Sequence, residues 1–119
     1  MLKAFYQTIG GDYNEVTSRL PTEKMILRFL LRFKDDGTYR ELCLAMEERR
    51  LDDAFRAVHT LKGITLNLGL ARLGKSSHDL TEALRPRTES CNAEALSALF
   101  GAVCRDYDEV LSALTLLQA

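Results

Sequence analysis

Tryptophan is absent from this 119-residue chain, and proline occurs only at Pro21 and Pro86. Proline breaks helix interiors by removing a donor and clashing with the preceding turn, so its scarcity leaves long stretches free to be helical. The three cysteines, Cys43, Cys91 and Cys104, are odd in number and include no CxxC spacing. That excludes a disulfide framework and a cysteine-based zinc site, and predicts free, mostly buried thiols in a reducing compartment. No apolar run is long enough to cross a membrane, because Arg28 and Arg32 interrupt the longest one. The opening residues, Met1 to Tyr6, lack the apolar stretch of a secretory signal. Excess charge of either sign is also missing: the formal net charge is -1, without the basic surplus that marks most nucleic-acid binders. Together these absences point to a cytoplasmic protein.

What is present is a helical pattern. Hydrophobic residues make up 46% of the chain and charged residues 28%, a balance that suits one globular domain over residues 1–119. A first short helix is expected over 2–9, with Leu2, Phe5, Tyr6 and Ile9 on one side and Gly10-Gly11 as its break. Asp12, with Glu15 three residues on, has the form of a capping box before a second short helix that carries Tyr13, Val16 and Leu20 and stops at Pro21. Thr22 is placed to cap a third helix through about residue 34, with Ile26, Phe29, Leu30 and Phe33 at helical spacing. A fourth is expected over 38–49, with Leu42, Cys43 and Met46 turned inward. Asp52 is the expected cap of a fifth helix ending near Leu68, where Gly69 stands as a C-terminal glycine. A sixth runs over about 70–84, with Pro86 blocking its continuation. Asn92 caps the last, whose apolar residues Leu96, Phe100, Val103, Tyr107, Val110, Leu114 and Leu117 form a heptad seam. The expected fold is all-α: an antiparallel up-and-down four-helix bundle over 38–118, with the short helices of 1–36 packed across one end or extending it.

The chemistry lies in Phe55-Arg56-Ala57-Val58-His59-Thr60-Leu61-Lys62-Gly63 and the Asn67-Leu68-Gly69 that follows. Ala54, Val58, Leu61, Thr65 and Leu68 repeat at intervals of four and three and define the buried face. His59 sits about 100° round from Val58, at the edge of that face. Lys62 and Gly63 are its i+3 and i+4 neighbours. An imidazole with an ordinary pKa near 6.5 is substantially neutral at pH 7 and offers a nucleophilic lone pair. Lys62 supplies a cation where phosphate oxygens would lie, and charge neutralisation with positioning is most of what phosphoryl transfer asks of a protein. Gly63 costs roughly 0.5–1 kcal/mol of helix stability relative to alanine; clearance for a docking partner would explain it.

His59-x-Leu61-Lys62-Gly63, followed by Leu68-Gly69, resembles the HxLKG signature of histidine phosphotransfer (HPt) domains, with Ile64 and Thr65 where many members carry small residues. The resemblance implies that His59 is the phosphoacceptor, phosphorylated on Nε2 by an aspartyl phosphate of a response-regulator receiver domain and returning the group to another receiver. It implies Lys62 as electrostatic support and Gly63 as the clearance position. It further implies a phosphocarrier of a two-component phosphorelay with no kinase activity or cofactor of its own, Mg²⁺ belonging to the receiver. Receiver domains and a hybrid histidine kinase are the implied partners. In an antiparallel hairpin turning at Gly69-Leu70, positions summing to about 139 or 140 lie level. Thr81 then falls opposite His59, with Ser77, His78 and Arg85 within about a turn. Thr81 and Arg85 are the candidates to hydrogen-bond the imidazole or to add charge.

Other readings fit less well. His59 and His78 alone, without carboxylate or thiol at ligand spacing, do not build a metal site. No strained Gly-x-Ser-x-Gly turn supports a hydrolase. A sensor-kinase dimerisation helix would carry an acidic residue directly after the histidine, where this chain has Thr60. The alternative kept is a non-catalytic helical adaptor that binds receivers without turnover. A closed bundle predicts a monomer.

Overall fold

Polar caps decide where several helices begin. The structure, a computed structural model, describes residues 1–85 and 92–118; Pro86 and Cys91 lie outside the described residues. Those residues form seven helices and no strand: α1 Leu2–Thr8, α2 Tyr13–Arg19, α3 Glu23–Asp35, α4 Thr38–Glu47, α5 Leu51–Asn67, α6 Ala71–Leu84 and α7 Ala93–Gln118. The Asp12, Thr22 and Asn92 side chains accept from the backbone N–H groups of Glu15, Met25 and Ala95 at 3.0, 3.1 and 2.8 Å, satisfying donors that a helix start leaves unpaired. The reciprocal half of the expected capping box is not made. The Glu15 carboxylate pairs with Arg19 instead, and the Asp12 N–H donates to the Gly69 carbonyl at 2.8 Å.

Helices α4 to α7 form an antiparallel up-and-down four-helix bundle, each packed against the next. At 1.5 Å per residue, the 26 residues of α7 span about 39 Å, close to the full 43 Å length of the molecule. Its seam is buried at Val103, Tyr107, Val110 and Leu114 and partly buried at Leu96, Phe100 and Leu117. On α5, Ala54, Val58, Leu61, Thr65 and Leu68 are all buried, and a fully buried aliphatic side chain there is worth about 1.5–3 kcal/mol. Tyr39 of α4 stacks on Tyr107 of α7 with centroids 3.6 Å apart, closing the bundle.

Helices α1 to α3 cover one end and tie down the C-terminus of α5. The Tyr6 hydroxyl donates to the Leu68 carbonyl at 2.7 Å, and Arg19 donates to the Leu66 carbonyl at 3.1 Å. With the Asp12 bond to Gly69, three carbonyls at the end of α5 gain partners from α1, α2 and their connection. Burial pushes the Tyr6 phenol well above its ordinary range, so it stays a neutral donor.

Two expectations are corrected here. Asp52 does not cap α5: the N-cap is Arg50, and Asp52 and Asp53 lie in the first turn, where carboxylates suit the helix dipole. The cause is the α4–α5 turn. Arg49 takes a left-handed φ of 57°, and the Arg50 N–H closes back on the Ala45 carbonyl at 2.8 Å, so the turn of residues 48–50 ends α4 at Glu47 and starts α5 at Leu51. Cys43 and Cys104 are free, as expected, but half-buried; Ala45, with Leu42, fills the inward face of α4. A left-handed arginine is costly for an L-residue. Arg49→Gly should therefore raise the unfolding free energy by about 0.5–1 kcal/mol, read as a higher urea midpoint at unchanged slope.

Candidate functional site

His59 stands near the middle of α5, held on both flanks by packing against α4 and α6. Val58 and Leu61 beside it are fully buried, whereas His59 itself is exposed. Arg56, Thr60, Gly63 and Asn67 are exposed too and continue a solvent-facing ridge, and Lys62 is half-buried at its edge. Among the described residues the imidazole makes no hydrogen bond or ion pair, and Lys62 makes no ion pair. An extra Cβ on Gly63 would meet nothing within 4 Å. The domain's own packing thus does not require the glycine, and the helix carries its cost for some other reason.

The expected α5–α6 register is visible in contacts. Arg85 lies over the Phe55 ring, 5.6 Å from its centroid, and a Cβ on Gly74 would strike Leu66. Thr81 is fully buried on α6, and its hydroxyl donates to the Ser77 carbonyl at 2.7 Å. That proton is committed within its own helix. Arg85, the C-cap of α6, is exposed with an extended backbone (φ -59°, ψ 134°), as a residue before proline should be. Its Nε donates to Glu82 at 2.6 Å. This bond first, and then the positive charges of Arg85, His78 and Lys62, hold the Glu82 carboxyl below the usual carboxylate range. Lys62 and His78 therefore share a field with Glu82 on the α6 side of the ridge. On the α4 side, Arg56 pairs with Asp53, which also binds Arg50 at 2.7 Å.

One neighbour of His59 had no role in the sequence reading. The Phe55 ring stacks beside the imidazole, with centroids 5.9 Å apart and planes 12° from parallel. Its signal is an aromatic residue one turn before the histidine, which pattern reading absorbs as a half-buried packing residue.

The remaining titratable groups offer less. Burial, before any other influence, pushes the Cys43 thiol up, which weakens it as a nucleophile. Among the described residues no group of three His, Cys, Asp or Glu side chains could hold a metal ion, and no helix is long and apolar enough to cross a membrane.

An exposed histidine, a cation one turn on and an open glycine therefore share one ridge of a helical bundle. The family model described as Hpt domain matches residues 33–118, from the end of α3 through α7, and so includes that ridge. The chain belongs to the Hpt domain family. Comparison with curated proteins and with solved structures returned no match. The Hpt match begins slightly earlier than the bundle expected over 38–118; α1, α2 and most of α3 lie outside it. Histidine phosphotransfer in phosphorelays is the role this family carries.

Proposed function

We propose that this Hpt domain relays a phosphoryl group between receiver-domain aspartates through His59. The observation that carries the reading is the exposed imidazole on a fixed helix, with Lys62 beside it and open space over Gly63. With the proton on Nδ1, the lone pair of Nε2 attacks the phosphorus of an aspartyl phosphate. The N–P bond forms, the P–O bond to the receiver carboxylate breaks, and the carboxylate leaves with the bonding pair. Lys62 screens the phosphoryl oxygens as the group arrives. Any Mg²⁺ is the receiver's. The reverse transfer follows the same path, because nothing on the ridge consumes the group. Receivers and a hybrid histidine kinase are the partners of this reading, the cytoplasm its compartment and a monomer its form.

The test is to incubate the protein with a receiver domain phosphorylated by acetyl phosphate and to follow the label. Transfer of an acid-labile, alkali-stable label to this chain is expected. Receiver binding without any transfer would sink the carrier reading and favour the adaptor.

Gly63 separates stability from function. Gly63→Ala has room within the domain and should stabilise it by about 0.5–1 kcal/mol. If the glycine provides clearance, the same change slows transfer from a phosphorylated receiver. A more stable variant that transfers at the wild-type rate would remove that role.

A further inference from the structure

Resting on the His59 reading above, we propose that Phe55 is a positioning residue for phosphoryl transfer: its ring fixes the plane of the His59 imidazole while leaving the attacking nitrogen uncovered.

An exposed nucleophile lacks a fixed orientation. A histidine on an open ridge is free to rotate about two bonds, and attack succeeds only when its in-plane lone pair points at phosphorus. A hydrogen bond to one nitrogen is the common means of orienting such a ring, and among the described residues none is made here. The nearly parallel ring of Phe55 is what contacts the imidazole instead. An offset, near-parallel contact of this kind restricts rotation of the ring. Both nitrogens lie on the edge, in the plane, so orientation is gained without obstructing the lone pair. One turn of helix rises about 5.4 Å, so a residue four places earlier is well placed to stack at this separation.

Phe55 is itself braced. Arg85 lies over its ring, within the range of a cation–π contact, and the guanidinium is anchored by Glu82. The brace comes from α6, so the orientation of a side chain on α5 is tied to the neighbouring helix. This gives Arg85 a use that needs no direct bond to the imidazole.

The experiment measures transfer from an acetyl-phosphate-charged receiver across receiver concentrations for wild type, Phe55→Leu, Phe55→Tyr and His59→Gln. A parallel labelling uses phosphoramidate, a small donor that needs no docking. Leucine keeps apolar bulk and loses the ring, and tyrosine keeps the ring. Phe55→Leu should lower the limiting transfer rate about three- to tenfold, the scale of one aromatic contact, at an unchanged half-saturating receiver concentration. Phosphoramidate labelling should hold at the wild-type rate, and Phe55→Tyr should stay within about twofold of wild type. The His59 ring protons should also shift in the NMR spectrum of Phe55→Leu, as the ring current of Phe55 is lost. A raised half-saturating concentration with an unchanged limit would overturn the proposal and make Phe55 a docking contact. Equal loss with phosphoramidate, or no loss with either donor, would overturn it too. If Phe55→Leu behaves as wild type while His59→Gln takes no label, this inference fails alone; if His59→Gln takes label normally, the phosphoacceptor reading fails with it.

Discussion

His59→Gln should reduce label uptake from a phosphorylated receiver to background, a loss of at least about a thousandfold, while leaving the fold in place. Glutamine approximates the length and polarity of histidine, but its amide nitrogen has no available lone pair, so the N–P bond cannot form. The substitution sits on an exposed position whose side chain makes no hydrogen bond among the described residues. The stability change should therefore stay within about 0.5 kcal/mol, the usual range for such sites. Helical circular dichroism and the urea midpoint should match the wild type. Retention of receiver binding by the variant would locate the loss in chemistry. His78, exposed on α6 and without the Lys-Gly pair, is the internal control: His78→Gln should label as the wild type does. Label persisting on His59→Gln and vanishing on His78→Gln would move the site from one helix to the other.

Gly69→Ala should be the most damaging small substitution for stability, at about 2–4 kcal/mol. Gly69 ends α5 with φ at 68°, and its N–H and that of Leu70 close back on the carbonyls of Leu66 and Thr65 at 3.1 and 2.9 Å. That arrangement needs a left-handed residue, which costs alanine roughly 1–2 kcal/mol. A Cβ would also sit 2.7 Å from the Asp12 carbonyl oxygen and 3.0 Å from Val16 Cβ. The first of these is backbone and cannot rotate away. Relief requires the α1–α2 connection to move, straining the bond from the Asp12 N–H to the Gly69 carbonyl. For a chain of this length the melting temperature should fall by about 10 °C. Gly37→Ala is the matched control, since φ there is -83° and a Cβ would meet nothing within 4 Å. Phosphotransfer by Gly69→Ala at low temperature should persist, because His59, Lys62 and Phe55 lie more than a turn away on α5. A melting temperature equal to the wild type would show that the N-terminal helices are not docked through this glycine.

The contrast between Gly69 and Arg49 shows what sequence can carry. Both residues stand left-handed at the end of a helix. The glycine announced its turn because glycine is the residue that adopts this geometry cheaply. The arginine announced nothing, so Asp52, a good capping residue three positions further on, drew the expected start of α5 to itself. Caps at Asp12, Thr22 and Asn92 were legible because a side chain makes the bond. The capping-box partner Glu15 was misread because the donor it would have served is taken by Gly69, 57 residues away in the chain. Buried faces of α5 and α7 followed from periodicity alone. Within the site, His59, Lys62 and Gly63 were legible as a pattern and Arg85 as a register neighbour of α5. Thr81 was equally level with the histidine, but level says nothing of direction, and its hydroxyl turns into its own helix. Phe55 escaped because a half-buried aromatic residue looks the same in sequence whether it packs against a core or against an imidazole.

The exposure of His59 also bears on time. A phosphoryl group carried on that ridge would have no wall of protein between it and bulk water. Its survival would then be governed mainly by the intrinsic hydrolysis of an N–P bond, with Lys62, one turn along the helix, a side chain able to alter it. The fold would make the group easy to hand over without making it safe to store. Signal duration would be decided by how often a receiver arrives before water does, and receiver abundance would become the quantity a cell adjusts to lengthen or shorten the message.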